Sequence, residues 1–243
     1  MKPIPLFLER MQPLYNREQI NKLLNSHILI AGLGGVGGFA VEGLARAGVG
    51  KFTLIDGDKV EISNINRQII ALHSTIGKSK AELLKERILD INPEAEITII
   101  KKFMEPGDFE SVFVNQFDYI IDAIDSISPK IYLIIEAVKR RLPIISVMGT
   151  GGKTDPFKIR ISDISNTRDD YFARIIRKRL KKHGIRSGIK TVFSTELQNK
   201  SALFYTDNTD YKKSAYGTVS YMPAIFGFVT ASEVIKDLLK NIP

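Results

Sequence analysis

The chain has no cysteine among its 243 residues. Without a thiol it cannot close a disulfide, build a cysteine zinc cage or hold a substrate as a thioester on its own side chain. It has only three histidines, His27, His73 and His183. They fall in strand, loop and basic-helix contexts, and none reads as a general base. No apolar run approaches the length of a membrane span. The start, Met1-Lys2-Pro3-Ile4-Pro5-Leu6, is too short and proline-marked for a signal peptide, so a cytoplasmic location with no membrane partner is expected. Internal repeats and low-complexity tracts are also missing. A chain of this length can bury one large core.

What is present begins with an apolar run, Ser26 to Ala31, which ends in Gly32-Leu33-Gly34-Gly35-Val36-Gly37. The run reads as a buried parallel strand. Phe39 to Ala47 then has helical spacing with small residues. Strand, glycine turn and helix form the setting that a dinucleotide fingerprint requires. Gly32 permits a tight turn, Gly34 lets backbone approach phosphate, and Gly37 lets helix pack on strand. A second strand, Lys51 to Ile55, ends in Asp56, a carboxylate placed for ribose hydroxyls. A glycine turn that serves only packing is the plainer alternative; the strand context and Asp56 favour a nucleotide.

Further on, Arg67 and Lys80 follow the cradle, accompanied by Asp58, Asn64, Asn66 and Gln68. A dinucleotide needs little positive charge at its pyrophosphate, whereas a triphosphate under attack does. Asp122 and Asp125 stand at the end of a further strand, Asp118 to Ile121, where ligands of an open parallel sheet collect. Mg²⁺ takes one or two carboxylates plus phosphate oxygens, which makes Asp125 the metal candidate and Asp122 the structural one.

The wider pattern alternates. Asn16 caps a helix running to Leu24. Strands are predicted near 27–32, 51–56, 96–101, 118–122 and 143–148, and helices near 36–48, 78–91, 107–116 and 127–141. That order predicts an α/β fold, a Rossmann-like doubly wound and mainly parallel sheet covered on both faces. After Gly149-Thr150-Gly151-Gly152 the alternation breaks into a C-terminal extension. Ile159 to Ile161 and Thr191 to Phe193 read as strands, 168–182 as a helix, 196–214 as a flexible crossover and 223–240 as a closing helix.

The motifs Gly32 to Gly37, Asp56-Gly57-Asp58, Ser63 to Gln68, Gly77-Lys78-Ser79-Lys80 and Asp122-Ala123-Ile124-Asp125 together resemble the adenylating domain of the ubiquitin-activating-enzyme-like superfamily. Asp122-Ala123-Ile124-Asp125-Ser126, Thr191 to Glu196, Val219 to Pro223 and Ala231 to Lys236 are similar to its tRNA threonylcarbamoyladenosine dehydratase branch. The resemblance runs from about Phe7 to Leu239. It implies one ATP-binding adenylating domain over 1–243, with 153–218 as a substrate-side insertion carrying the basic helix and the crossover. It implies ATP and Mg²⁺ as cofactors, with Gly32, Gly34, Gly35, Gly37, Asp56, Asp58, Asn64, Asn66, Arg67, Gln68, Lys80 and Asp125 around the nucleotide. Arg67, Lys80 and Asp125 would carry the chemistry. Arg10 would join them, reaching the phosphates of a second subunit in a homodimer. The family commonly has an earlier arginine where Phe7 stands, and a glycine in place of Asn16. Lys158, Arg160 and the Gly149–Gly152 turn fall on the acceptor side without an assigned role.

The implied reaction is adenylation of the carboxylate on threonylcarbamoyladenosine, followed by ring closure with loss of water. Charge distribution fits that substrate. The chain carries 35 basic and 27 acidic residues. Eight of the basic residues and no acid lie between Arg174 and Lys190. Arg174, Arg177, Lys178 and Lys181 share helical spacing, with Ile176 and Leu180 beneath them, which suits a tRNA backbone; a solvated surface helix is the alternative. Two rival functions use the same glycines. One is an activator of a sulfur-carrier or ubiquitin-like protein, which leaves sulfur-transfer partners open. The other is an NAD-dependent oxidoreductase, against which Arg67 and Lys80 argue.

Overall fold

The computed structural model describes residues 4–205, 214–240 and 242. A 3-10 segment, Leu6–Met11, leads into helix α1, Arg17–Asn25. The Asn16 side chain accepts from the Gln19 amide at 2.9 Å, and Gln19 Oε1 accepts from the Asn16 amide at 3.0 Å. This capping box satisfies two donors that a helix start leaves orphaned.

Strands β1 (His27–Ala31), β2 (Lys51–Ile55), β3 (Glu96–Ile100), β4 (Tyr119–Asp122), β5 (Ile144–Val147), β6 (Ile159–Asp163) and β7 (Lys190–Ser194) form one sheet in the order β3-β2-β1-β4-β5-β7-β6. All neighbours are parallel except β6 and β7. The chain builds outward from β1 to β3, then returns to lay β4 on the other side of β1. The C-terminal ends of β1 and β4 are therefore the switch point of the sheet, the place where such folds bind ligands. Gly32 follows one strand and Asp122 closes the other.

Alternation along β1 shows how both faces are covered. Ile28 and Ile30 join a core with helices α2 (Gly35–Arg46) and α3 (Lys80–Ile91), completed by the closing helix α7 (Tyr221–Leu239). Leu29 and Ala31 face the opposite core, built on α4 (Phe109–Val112), α5 (Ile127–Lys139) and α6 (Tyr171–Lys182). Helices α2 and α7 approach closely because each offers a glycine. A Cβ at Gly43 would stand 2.9 Å from Ala231 Cβ, and one at Gly227 would stand 2.6 Å from the Val36 carbonyl oxygen. Among the described residues no helix is long and apolar enough to cross a membrane.

Three expectations change. The helix predicted over 107–116 shortens to a 3-10 turn, Pro106–Asp108, and the single turn of α4. Phe109 and Val112 are buried there, and no longer apolar stripe follows to extend it. The helix predicted from 168 starts at Tyr171, because Asp169 adopts φ +59° and Asp170 caps the first turn. The crossover predicted over 196–214 lies partly outside the described residues. On either side of that stretch, β8 (Leu203–Tyr205) and β9 (Ser214–Tyr216) pair as an antiparallel ribbon.

Candidate active site at the sheet switch point

The glycine loop separates into positions that the protein needs and one that it leaves open. Gly32 has φ +87°, and a Cβ there would lie 2.6 Å from the Ala123 carbonyl oxygen, so β1 and the turn after β4 meet at this residue. A Cβ at Gly37 would lie 1.8 Å from the Gly32 carbonyl oxygen, which is the helix-on-strand contact read from the sequence. At Gly35 it would meet Pro223 Cβ at 2.9 Å and the Arg67 carbonyl oxygen at 3.1 Å, so the Cα side of this glycine seats the closing helix. At Gly34 the nearest atom is Gln68 Nε2, at 3.7 Å. Gly34 is also the N-cap of α2, whose free amides favour an anion.

Asp56 braces this loop. Its Oδ2 accepts from the Leu33 amide at 2.6 Å and its Oδ1 from the Asp58 amide at 2.7 Å. Burial pushes its pKa up, against the pull of Lys80 and the two amides. A carboxylate offers about four lone-pair sites, so ribose hydroxyls can still be accepted. Lys80 opens α3 behind the Ser79 cap and is 5% exposed. Its ammonium is not the free cation pictured from the sequence: it pairs with Asp58 Oδ2 at 2.7 Å.

Arg67 is held differently. It donates to the Ser63 carbonyl at 2.7 Å and to Asn66 Oδ1 at 3.0 Å, both neutral acceptors. Burial lowers its pKa, and the Asp125 carboxylate opposes that fall. Asn66 also donates to the Thr218 carbonyl at 2.9 Å, tying this loop to the segment before α7. Asn64 is buried and shapes its own turn, with Oδ1 accepting from the Glu61 amide at 3.3 Å. Gln68 is 7% exposed, and its Oε1 is the buried side-chain oxygen that lacks a partner among the described residues. A buried acceptor with nothing to accept is costly. Beside Gly34, it fits a site completed by a ligand donor or an ordered water.

At the end of β4, Asp122 is structural, as expected. It is fully buried, takes Lys130 Nζ at 2.7 Å and Ser146 Oγ at 2.6 Å on Oδ2, and takes the Ile124 amide at 3.2 Å on Oδ1. Burial pushes its pKa up and that of Lys130 down, each opposed by the other's charge. The pair sets the turn that leads to Asp125, whose side chain is exposed. Among the described residues no group of three His, Asp or Glu side chains gathers as a metal cage.

Sequence reasoning missed three charged residues that shape the site. Lys130 stands alone among Ile127, Ile131, Leu133, Ile134 and Ile135. A single cation on an apolar helix was the available signal. Lys153 is 3% exposed and pairs with Asp170 at 2.5 Å, joining the Gly149–Gly152 turn to the start of α6. Glu196 accepts the Thr154 and Asp155 amides at 2.9 Å and 2.8 Å, fixing the same turn from the other side. Of the residues left unassigned, Lys158 lies 3.7 Å from Asp155, and Arg160 donates to the Phe157 and Ile159 carbonyls.

The basic helix is only partly the free face expected. Arg174, Lys178 and Lys181 are exposed, as are Arg179, Lys182 and Arg186. Arg177 corrects the reading: its guanidinium turns inward and donates to the Thr167 carbonyl at 2.9 Å, to Thr167 Oγ1 and to the Ile164 carbonyl. Lys190 is also internal, bonded to Glu233 and Asp237 at 2.7 and 2.6 Å. Arg10 is exposed, but not near this chain's glycine loop. Its neighbour Leu8 is buried 2.7 Å from where a Gly48 Cβ would be, past the far end of α2. Twelve helical residues, roughly 18 Å, separate that end from Gly34.

Comparison with known proteins places this geometry. The ThiF family matches residues 8–243. A tRNA threonylcarbamoyladenosine dehydratase of Bacillus subtilis is 41% identical over 233 residues, covering 93% of this chain and 92% of the relative. The crystal structure of the Escherichia coli tRNA N6-threonylcarbamoyladenosine dehydratase in complex with ATP is 34% identical, covers 98% of each chain and superposes with a TM-score of 0.88. That enzyme in complex with AMP gives a TM-score of 0.87 at 34% identity, covering 99% of this chain and 98% of its own. On this match the chain belongs to the ThiF family and, within it, to the tRNA threonylcarbamoyladenosine dehydratases.

Proposed function

We infer that this protein uses ATP to remove water from threonylcarbamoyladenosine in tRNA, through an acyl-adenylate. The observation that carries the reading is the switch point itself. The Cβ side of Gly34 is open, the Gln68 Oε1 beside it lacks a partner among the described residues, and the chain matches these dehydratases over its length.

A carboxylate is a poor electrophile, so it is first activated. The substrate carboxylate oxygen attacks the α-phosphorus of ATP and pyrophosphate leaves. The ureido group of the same modification then attacks the acyl carbon, AMP leaves with the former carboxylate oxygen, and a five-membered ring closes. The second step is intramolecular and needs chiefly orientation. The protein's part is to stabilise charge as it redistributes over the phosphates. Amides of the Gly34–Gly37 loop and the Arg67 guanidinium do this. Lys80 contributes through the Asp58 pair that fixes the edge of the site. Asp56 would hold the ribose.

Asp125 would hold Mg²⁺. Its carboxylate is exposed at the switch point, and Mg²⁺ takes one or two carboxylates together with phosphate oxygens. Bound there, the ion would offset phosphate charge. Arg10 lies at the far end of α2 from its own Gly34, so a role at the phosphates requires a second copy of the chain. The homodimer is part of the proposal on that ground. Activation of a sulfur-carrier tail shares the first half-reaction; the exposed cations of α6 favour an RNA acceptor.

The test is nucleoside mass spectrometry of tRNA bearing threonylcarbamoyladenosine after incubation with the protein and ATP. The modified nucleoside is expected to lose one water, only when ATP is present. An unchanged nucleoside with active ATP turnover would overturn the dehydratase reading.

A further inference from the structure

The basic helix begins with an exposed aromatic ring that the fold does not use. Tyr171 is 58% exposed. The Arg174 guanidinium lies over its ring, 4.9 Å from the centroid. One residue on, Phe172 turns the other way: a Cβ at Gly149 would meet Phe172 Cβ at 3.9 Å. The Gly149–Gly152 turn leaves the C-terminal end of β5, beside the end of β4 where Asp122 stands. The first turn of α6 is therefore fixed beside that turn. The buried Lys153–Asp170 pair locks it there, since Asp170 Oδ2 takes Lys153 at 2.5 Å while Oδ1 takes the Ala173 amide at 2.8 Å.

The nearby acids are engaged: Asp170 by Lys153, and Asp169 by Arg168 at 4.0 Å. Behind Tyr171 run Arg174, Lys178 and Lys181, all exposed. A cationic track with an aromatic face at its active-site end is the arrangement that grips a single-stranded nucleic acid. Cations follow the backbone, and an unstacked base lies on the ring. An arginine already stacked on the ring stiffens the platform and can cover the base edge.

We propose that Tyr171, with the Arg174 guanidinium over one face of its ring, is the platform on which an unpaired base of the tRNA stacks, setting where the modified nucleoside enters the site. This rests on the tRNA reading above and adds a residue and a mode of contact to it. It is a claim about a ring face rather than about charge, so it can be separated from the phosphate contacts of the same helix.

The chain has no tryptophan, so Tyr171→Trp supplies a single indole reporter. Its fluorescence should be quenched on adding a tRNA anticodon stem-loop with an open loop, and much less with an RNA duplex of equal charge. In parallel, Tyr171→Ala should weaken stem-loop binding about 5- to 100-fold, the range expected for one base–aromatic stack. The loss should be equal at every salt concentration, because no phosphate contact is removed. Tyr171→Phe should bind like wild type, which excludes a role of the hydroxyl. Wild-type affinity in Tyr171→Ala, or an indole indifferent to the stem-loop while binding is seen by another probe, would overturn the platform and leave the tRNA reading standing. Absence of stem-loop binding by the wild type itself would overturn both.

Discussion

Asp122 and Lys130 form an ion pair at 2.7 Å with both side chains fully sealed from solvent, one turn of chain from the exposed Asp125. The two aspartates stand three residues apart, one buried and one exposed, and their variants should part accordingly. Asp122→Asn leaves the Lys130 ammonium buried without its counter-charge, and a loss of about 3–5 kcal/mol in urea melts is expected. Asp125→Asn should melt like wild type but turn over on the order of 10²-fold more slowly. A folded Asp125→Asn enzyme with near-normal turnover would remove Asp125 from the site.

Gly34 and Gly37 should part in the same way. A Cβ at Gly37 meets the Gly32 carbonyl oxygen at 1.8 Å, so Gly37→Ala is expected to cost about 3 kcal/mol or more, or to prevent folding. Gly34→Ala meets only Gln68 at 3.7 Å and should change the melting curve little. Its methyl group would stand where phosphate comes close to the backbone, so ATP affinity, read by calorimetry, should fall by roughly tenfold or more. Unimpaired ATP binding by Gly34→Ala would mean that the open side of the loop is not the phosphate side.

ATP should appear as AMP and pyrophosphate, without ADP. Labelled pyrophosphate should exchange into ATP once modified tRNA is added. Formation of ADP and phosphate would rule out the acyl-adenylate.

Salt dependence separates the residues of α6. Lys178→Ala with Lys181→Ala removes two exposed cations. The slope of log affinity for tRNA against log salt should flatten by about 1.4 to 1.8 units. Arg177→Ala should leave the slope alone and lower stability by about 1–3 kcal/mol, because its guanidinium bonds the Ile164–Thr167 turn. Equal slopes for wild type and the double variant would make the helix an ordinary solvated face.

Acid stability should show the Glu42 cluster. Burial pushes the Glu42 carboxyl up, but the guanidiniums of Arg87 and Arg46 outweigh it and hold the pKa below the ordinary value. A carboxylate whose folded pKa is depressed adds stability above its unfolded pKa, near 4.3, and loses it as pH falls through the folded value. Thermal melts of Glu42→Gln should therefore lie well below wild type at pH 7 and converge with it in acid. A constant gap at all pH values would count against the charge pairing.

The sequence made the architecture readable because β1, β2 and β4 at the centre of the sheet are short apolar runs closed by a glycine or an aspartate, as in Ile28 to Gly32 and Tyr119 to Asp122. The glycine spacing marked the turn between β1 and α2 for the same reason. Direction of side chains was not readable. Arg177 shares its spacing with Arg174 and Lys178, yet it turns inward because three carbonyl and hydroxyl oxygens of the preceding turn wait there. Lys80 looked like a lone cation because its partner Asp58 is distant in sequence and adjacent only through the Lys59–Ser79 bridge. Lys153 and Glu196 lie in segments without periodicity, where only the folded turn gives them partners.

Pro223 packs on Gly35, the residue at the heart of the nucleotide loop. Gly35 precedes Pro223 by most of a domain, so the loop is synthesised well before its brace. While the chain is being synthesised, β1 can pair with β2 and α2 can form, but the packing against Gly35 is missing until α7 docks. ATP is therefore expected to add little stability to a chain in which α7 has not docked. A nucleotide that binds only the finished fold acts as a late lock, raising the stability of complete molecules by mass action and leaving unfinished ones to quality control.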